Sequence, residues 1–535
     1  MHSGEAAKRR AVQALGYTLA AASGILLALS FPKFGHPALA WIALAPLVVS
    51  LAGVTLSRAF IHGLLTGILY FTGTLYWITR VMVLYGDLQV WVAVLVNAAL
   101  ILYMSLFVAL FALVTRRLLV AYGHRALIAA PFVWAVTELG RKDLFTGFPW
   151  VLLGYSQTSV LPIAQLASLF GVYGVSMLVA SVSTAAAAVV FDARRAKRAK
   201  TAEKDDSLGA LRPLRSSMPV IGVLTMVIGI GLWGARRLGS NELTRIGDPV
   251  RVGLIQGNVS LRERSDPARI PIIFDSYLRM TREAIARGAE FVIWPESATP
   301  YAFESDPRSA ARIRTLAQQS QVPILLGSDQ ILPAGNGVPA RYYNSAYLVR
   351  PDGTTGGAYR KMHLVPFGEY VPAKRIFFFA APLVEAVSDF SAGEEATLLP
   401  VGTHKISTAI CYEVVYPDLV RQFVVGGSEL LTTITNDAWF GETSAPYQHF
   451  EQAAMRAIEE GRYLVRAANT GVSGIVDPYG RVLQQTAIFQ PAVAVGAARF
   501  LQGSTFYARH GDVLAYASVV ATAVLLVFAA WMRVT

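Results

Sequence analysis

The chain has 535 residues, of which 54% are hydrophobic and only 15% charged, and its formal net charge is +12. Since a soluble domain carries about 25% charged residues, this composition excludes an ordinary soluble protein and indicates a membrane protein. The single cysteine excludes disulfides within the chain and cysteine-based zinc sites.

The positive charge does not indicate a nucleic-acid partner. Much of it lies in one loop between two apolar segments, whose basic residues are Arg194, Arg195, Lys197, Arg198, Lys200, Lys204, Arg212 and Arg215. No aromatic residues interleave with them, as base stacking would require. We interpret this loop as a cytoplasmic anchor that faces anionic lipid.

Eight apolar segments are predicted to cross a membrane. The first, Ala11–Ser30, is not followed by an Ala-x-Ala cleavage site, so we interpret it as a retained helix rather than a signal peptide. The others cover residues 38–54, 59–79, 89–115, 126–140, 160–191, 219–236 and 513–531. The predicted organisation is a transmembrane domain over 1–240 with seven helices, a soluble domain over 241–505, and a final helix within 506–535.

The distribution of basic residues predicts the topology. With the N-terminus inside, the outer loops between predicted helices carry Lys33, Arg80, Arg141 and Lys142. The inner segments carry the basic loop described above and Lys8, Arg9, Arg10, Arg58, Arg116, Arg117 and Arg125. This asymmetry fits the positive-inside rule. We therefore expect the soluble domain on the outer face, tethered at both ends.

Two outer loops, residues 31–37 and 147–150, are rich in aromatic, Gly and Pro residues. They are either interfacial belts and turns or the lining of a lipid-accessible cavity. Glu138 and Arg141 are predicted at a helix end, where they need no function within the membrane.

The soluble domain alternates strands and helices, which predicts an α/β layer fold with a largely buried sheet. Predicted strands cover Val250–Ile255, Phe291–Trp294, Pro323–Leu326, 342–350, 357–363, Ile406–Ile410, Leu430–Ile434 and three short segments between about 463 and 499. Predicted helices cover about 266–287, 307–319 and 446–460.

Three chemically capable residues occur near strand ends or in the loops that follow them. Glu296 follows one strand, Lys361 lies in the segment 359–364, and Cys411 follows a β-branched, apolar strand. Because strand carboxyl ends gather at one edge of a layered sheet, we expect the three to meet there. Taken singly, each has a simpler interpretation: a helix cap, a surface charge and an inert buried thiol.

The residue types define possible roles. A thiol with a pKa near 8.5 is mostly protonated at neutral pH, and a nearby carboxylate can remove its proton during attack. A lysine ammonium can lower the pKa of the thiol and hold the oxyanion of a tetrahedral intermediate, helped by the backbone N–H of Tyr412.

The segments Trp294–Ser297, Tyr359–Glu369 and Ile410–Glu413 resemble the Glu–Lys–Cys triad motifs of the nitrilase superfamily. With apolar helices on both sides and the segment Asn436–Gly441, nearly the whole chain resembles the family of bacterial apolipoprotein N-acyltransferases. The resemblance implies a polytopic helical membrane domain and a nitrilase-like αββα sandwich.

By this resemblance Glu296 is the general base, Lys361 the oxyanion stabiliser and Cys411 the nucleophile. The supporting or substrate-lining positions that it implies are Glu369, Tyr412, Glu413, Asn436, Trp439 and Trp150. One departure is the segment 260–264, which lacks a Trp that the family often has, so substrate contact at that point is in doubt.

The resemblance also implies the reaction. A phospholipid, expected to be phosphatidylethanolamine, donates an acyl chain to Cys411, and the N-terminal diacylglyceryl cysteine of an apolipoprotein accepts it. We expect no cofactor and no metal, a monomer, and a bacterial inner-membrane location with the catalytic domain facing the periplasm. The alternatives are a membrane-bound nitrilase-like amidase that delivers the acyl group to water, and a transporter or receptor whose outer domain only binds ligand.

Overall fold

The structure, a computed structural model, describes residues 2–86, 88–202, 212–334, 339–371 and 390–532. The chain divides into two compact units. The helical unit comprises Met1–Arg80, Gln89–Gly239 and Asp512–Thr535, and the α/β unit comprises Val81–Leu88 and Ser240–Gly511. Lys204, in the predicted basic loop, lies outside the described residues.

Long apolar helices dominate the helical unit. They cover His2–Ala28, Leu56–Leu75, Val90–Tyr122, Ala130–Asp143, Ala167–Ala202, Arg212–Ser240 and Val513–Trp531. Shorter helices cover Pro37–Leu39, Ala40–Ala43, Ala45–Ser50, Trp77–Tyr85, Gly123–Ile128, Leu144–Thr146, Leu153–Gln157 and Leu161–Ala164.

Fewer helices than predicted have the length of a membrane span. Among the described residues, five helices are long and apolar enough, or six if Leu56–Leu75 and Trp77–Tyr85, which are bent by 51° from each other, form one span. The predicted span 38–54 is instead broken into short helices, and one of them, Ala45–Ser50, has a proline in its first turn that has no N–H to continue the hydrogen bonding of a preceding helix. The predicted span 126–140 is the 14-residue helix Ala130–Asp143.

Glu138 and Arg141 lie in the last two turns of the helix Ala130–Asp143, as predicted, but both are buried. Their side chains form a buried ion pair with an N–O distance of 3.3 Å. Glu138 Oε1 also accepts a hydrogen bond of 2.7 Å from the backbone N–H of Leu153. The pair therefore fixes the segment that follows the aromatic loop 147–150.

The described residues of the α/β unit form twelve strands and six α-helices. The strands are β1 (Asp248–Gln256), β2 (Phe291–Ile293), β3 (Ile324–Leu332), β4 (Arg341–Val349), β5 (Thr355–Arg360), β6 (Leu399–Val401), β7 (His404–Ile410), β8 (Leu430–Thr435), β9 (Leu464–Ala468), β10 (Gly474–Val476), β11 (Val482–Gln485) and β12 (Ala492–Phe500). The helices cover Leu261–Arg264, Ile270–Ala286, Pro307–Ser320, Pro417–Val425, Ala445–Glu460 and Phe506–His510.

The strands form two six-stranded sheets. The first has the order β12-β1-β2-β3-β4-β5 and the second the order β11-β10-β9-β8-β7-β6. The central strands β1, β2 and β3 run parallel, as do β7, β8 and β9, while the remaining pairs are antiparallel. β2 and β8 are buried along their whole length, as expected for parallel strands covered on both faces.

Helices cover the sheets through apolar faces. In the helix Ile270–Ala286, buried side chains recur three or four residues apart, at Ile273, Phe274, Tyr277, Leu278 and Thr281, which is the spacing of one helix face. Tyr277 packs against Trp294, whose indole N–H donates to Thr281. This packing fixes the chain where β2 ends.

Two details differ from the prediction. Four strands rather than three follow residue 463, because a segment of alternating character cannot be divided reliably by periodicity alone. β6 is not predicted from the sequence. It has only three residues, and it is recognised as a strand through its pairing with β7.

Gly327 of β3 packs directly against the loop after β2. A Cβ atom at this position would lie 2.4 Å from the carbonyl oxygen of Pro295 and 2.7 Å from the Cα of Glu296. These are backbone atoms, so the contact cannot be relieved by a rotamer change.

We predict that Gly327→Ala lowers the free energy of unfolding by about 1–3 kcal/mol, the usual cost of overpacking. The measurement is the apparent unfolding midpoint of the purified chain in detergent micelles. Gly503→Ala is the matched control, because no heavy atom lies within 4 Å of the added Cβ. Equal midpoints for the two variants would contradict the prediction.

Candidate active site

Cys411 is the first residue after β7 and begins a short 3-10 helix, Cys411–Val415. Its φ is 51°, in the left-handed region that non-glycine residues rarely adopt. Such a conformation costs about 1–2 kcal/mol and persists only where the surroundings enforce it. The chain therefore turns sharply at the thiol.

The carboxylate of Glu413 enforces this turn. Its Oε2 accepts a hydrogen bond of 2.7 Å from the N–H of Ile410. Its Oε1 accepts from the N–H groups of Met362 (2.7 Å) and His363 (3.1 Å) and from the hydroxyl of Tyr359 (2.7 Å). Burial raises the pKa of Glu413 to about 7. One side chain thus joins the two loops that carry the candidate nucleophile and the candidate ammonium.

Lys361, directly after β5, lies between two carboxylates. Its Nζ donates to Glu369 Oε1 at 2.8 Å and lies 3.7 Å from Glu296 Oε1. The side-chain amide of Asn344 donates to the same two oxygens, at 3.0 Å and 2.7 Å. Lys361 is 1% exposed, so this pairing compensates for the loss of water around its charge.

The second oxygen of each carboxylate is also bound. Glu296 Oε2 accepts the N–H of Asn436 at 2.7 Å, and Glu369 Oε2 accepts the N–H of Val365 at 2.8 Å. Burial lowers the pKa of Lys361, but the two carboxylates outweigh burial and the net pKa is raised. Burial raises the pKa of Glu296, and Lys361 opposes that change.

The pKa of the Cys411 thiol is raised, whereas the sequence suggested that Lys361 would lower it. Burial and the charge of Glu296 raise the pKa of the thiol, and Lys361 only partly opposes them. The resting side chain is therefore a thiol rather than a thiolate. A thiol of this kind needs a base that removes its proton during attack, and Glu296 is the candidate for that base.

The other predicted aromatic residues make contacts of their own. The hydroxyl of Tyr416 donates to that of Tyr412 at 2.9 Å. The ring of Trp439 meets that of Tyr85 edge to face, at 5.1 Å between centroids. Trp150 belongs to the helical unit, where it is 1% exposed and contacts Trp77 and Phe148.

The segment that lacks the family Trp contributes Arg264 to the site. Arg264 lines a small cavity of about 10 Å³ together with Glu296, Tyr277, Asn436 and Asn469. A guanidinium therefore lies near the candidate base in this chain.

The sequence reasoning missed Asn344 and His449. Asn344 lies in the middle of β4, where it is 4% exposed, and a polar residue inside a buried strand was the available signal. His449 lies on the helix Ala445–Glu460, which is buried although it carries many polar side chains. Glu296 and Lys361 lie 3.7 Å apart, and the charges of both act on Cys411. The three come from two sheets rather than from one sheet edge: Glu296 and Lys361 follow strands of the first, and Cys411 follows a strand of the second.

Comparison with known proteins matches two different families to two segments of the chain, one in the helical unit and one in the α/β unit. The profile of the Apolipoprotein N-acyltransferase N-terminal domain matches residues 23–185, and that of the Carbon-nitrogen hydrolase domain matches residues 251–500. A mutant of the amidase from Nesterenkonia AN1, of the nitrilase superfamily, matches 50% of this chain and 94% of its own with 21% identity and a TM-score of 0.37. The carbon-nitrogen hydrolase profile confirms the nitrilase-like fold of the α/β unit.

Full-length relatives extend the match to both units. The chain is 40% identical to the apolipoprotein N-acyltransferase of Geobacter metallireducens over 514 residues, which cover 96% of this chain and 95% of that protein. It is 33% identical to the apolipoprotein N-acyltransferase of Methylococcus capsulatus over 92% of each chain. The chain therefore belongs to the apolipoprotein N-acyltransferase family.

Proposed function

We propose that this protein transfers an acyl chain from a phospholipid to the N-terminal amine of a diacylglyceryl apolipoprotein. The observation that carries the proposal is the family match over both units. The buried cluster of a base, an ammonium and a thiol supports it, because these groups supply covalent acyl transfer without a metal or cofactor.

In the first half-reaction Glu296 takes the thiol proton while the sulfur of Cys411 attacks the ester carbonyl carbon of the phospholipid. The carbon–sulfur bond forms, and the carbonyl electron pair moves to oxygen. This oxyanion is held by Lys361 and by the N–H of Tyr412. Its collapse breaks the carbon–oxygen bond, and Glu296 returns the proton to the leaving lysophospholipid.

In the second half-reaction the free amine of the diacylglyceryl cysteine attacks the thioester. Glu296 accepts a proton from the amine and passes it to the sulfur as the carbon–sulfur bond breaks, so the thiol is regenerated when the amide is released. Burial of Cys411, which is 8% exposed, favours the amine over water because few water molecules reach the thioester.

The supporting residues have positional roles in this proposal. Glu369 and Asn344 hold Lys361 and Glu296 in place, and Glu413 joins the loops of Lys361 and Cys411. Asn436 fixes the second oxygen of Glu296 through its N–H. Trp439 and Trp150 are proposed to contact lipid substrate.

The membrane arrangement is part of the same proposal. Both substrates are lipids, so a catalytic domain held at a membrane surface has direct access to them. We propose a monomer whose helical unit lies in the bacterial inner membrane, with residues 241–505 facing the periplasm. The proposed phospholipid donor is phosphatidylethanolamine.

We predict that Cys411→Ala abolishes acyl transfer and that Cys411→Ser leaves at most a trace, a loss of roughly 10⁴-fold or more, because the nucleophile is removed or weakened. The measurement uses phosphatidylethanolamine with a labelled acyl chain and a diacylglyceryl lipopeptide with a free amine. Transfer at the normal rate by Cys411→Ala would contradict the proposal. Labelled free fatty acid as the main product of the unmodified chain would favour the hydrolase instead.

We predict that Lys361→Met shifts the pH profile of Cys411 alkylation to higher pH, because the cation that lowers the thiol pKa is lost. A shift of one pH unit slows iodoacetamide alkylation about tenfold at a given pH below the pKa. Acyl transfer falls further, because the oxyanion also loses a partner.

Lys405→Met is the matched control for this experiment, since Lys405 is exposed on β7, the strand that ends before Cys411. Lys361→Arg keeps the positive charge and tests whether charge alone sets the pH profile of Cys411 alkylation. An alkylation profile in Lys361→Met that coincides with that of the control would refute the proposed electrostatic role.

A further inference from the structure

A second buried cluster of ionisable side chains lies behind the turn at Cys411. It consists of Asp437, His449 and Arg466, each with no exposed side-chain surface. Asp437 follows β8, His449 lies on the helix Ala445–Glu460, and Arg466 belongs to β9. The mechanism proposed above makes no use of this cluster.

The cluster ends on the backbone of the candidate nucleophile. His449 Nε2 lies 3.1 Å from the carbonyl oxygen of Cys411. On the other side of the ring, His449 Nδ1 lies 3.1 Å from Asp437 Oδ1 and 2.9 Å from a guanidinium nitrogen of Arg466. Arg466 also donates to Asp437 Oδ2 at 3.0 Å.

These contacts assign the hydrogen atom on Nε2 of the ring. A carbonyl oxygen only accepts hydrogen bonds, so Nε2 carries the hydrogen that it donates to Cys411. Burial and the charge of Arg466 lower the pKa of His449, and Asp437 opposes them. Nδ1 lies between the carboxylate of Asp437 and the guanidinium of Arg466, and the donation from Nε2 to Cys411 is the same whether or not Nδ1 carries a hydrogen.

The orientation of one peptide group follows from this hydrogen bond. The peptide between Cys411 and Tyr412 is planar and trans, so its C=O and N–H point in opposite directions. A carbonyl held on His449 directs the N–H of Tyr412 away from the buried cluster. A hydrogen bond to the carbonyl also polarises the amide and strengthens its N–H as a donor.

We propose that His449 is a positioning residue for the oxyanion site, acting through the peptide group that joins Cys411 to Tyr412. This inference rests on the proposed function, in which the N–H of Tyr412 stabilises the oxyanion of the first half-reaction. Asp437 and Arg466 hold the ring, and Gly471 leaves the space they need, because a Cβ there would lie 2.0 Å from Asp437 Oδ2.

Two reactions of the Cys411 thiol, acylation and alkylation, distinguish a positioning role of His449 from a general structural role. Acylation by an ester passes through a tetrahedral oxyanion, whereas alkylation by iodoacetamide is a direct displacement that forms none. A group that orients the oxyanion donor therefore affects acylation and not alkylation. The chain has a single cysteine, so alkylation reports on Cys411 alone.

Two amide substitutions at the same position provide the matched variants. The amide of Gln reaches the place of Nε2 and can donate to the Cys411 carbonyl. The amide of Asn reaches only the place of Nδ1, so His449→Asn keeps a polar group near Asp437 but loses the donor to Cys411. Both are made in the full chain and purified in detergent micelles.

The experiment measures, for each variant, the single-turnover rate of the acyl adduct from phosphatidylethanolamine by intact-protein mass, and the rate of alkylation by iodoacetamide. Loss of an oxyanion donor costs about 10²–10³ in rate, so a misdirected donor in His449→Asn is expected to slow acylation about 10- to 100-fold. Alkylation stays within about twofold, and His449→Gln recovers most of the acylation rate.

Normal acylation in His449→Asn would overturn the inference. So would a parallel fall of acylation and alkylation in both variants, because that result assigns His449 to folding alone. An unmodified chain that is alkylated but never acylated would refute the proposed function, and this inference with it.

Discussion

The site depends on one buried ammonium held between two carboxylates. Lys361 lies 2.8 Å from Glu369 and 3.7 Å from Glu296, with almost no exposure to water. A charge removed from water is stable only when it is paired, and one cation between two anions leaves the cluster with a single excess negative charge. A resting thiolate at Cys411 would add a second, which explains why burial and Glu296 raise the thiol pKa. Transfer of the thiol proton to Glu296 leaves the net charge of the buried site unchanged, so the sulfur can be activated without adding a second excess negative charge.

This arrangement requires that loops from two different sheets stay in register. Glu296 and Lys361 follow strands of the first sheet, whereas Cys411 follows a strand of the second. Glu413 joins the two by accepting N–H groups from both loops, and Asn436, after β8, binds Glu296 across the same boundary. Hydrogen bonds from backbone N–H groups to these buried carboxylates therefore hold the two loops in position.

The sequence singles out the three candidate residues because each lies in a local motif near a strand end, and strand ends can be recognised from apolar runs. It could not predict that two sheets supply the site, since sheet membership depends on contacts between distant segments. It also missed Asn344 and His449, whose roles come from distances of 2.7–3.1 Å to residues more than 30 positions away. Short helices were the weakest point in the membrane region: residues 38–54 are apolar enough for a span, but proline divides them.

The most direct test of the account is the mass of the purified chain after incubation with phosphatidylethanolamine. The account predicts a single acyl adduct on Cys411 that persists in buffer and disappears when a diacylglyceryl lipopeptide with a free amine is added, with the acyl chain recovered as an amide. A chain that acylates the lipopeptide without ever carrying the adduct, or an adduct located on another residue, would contradict it.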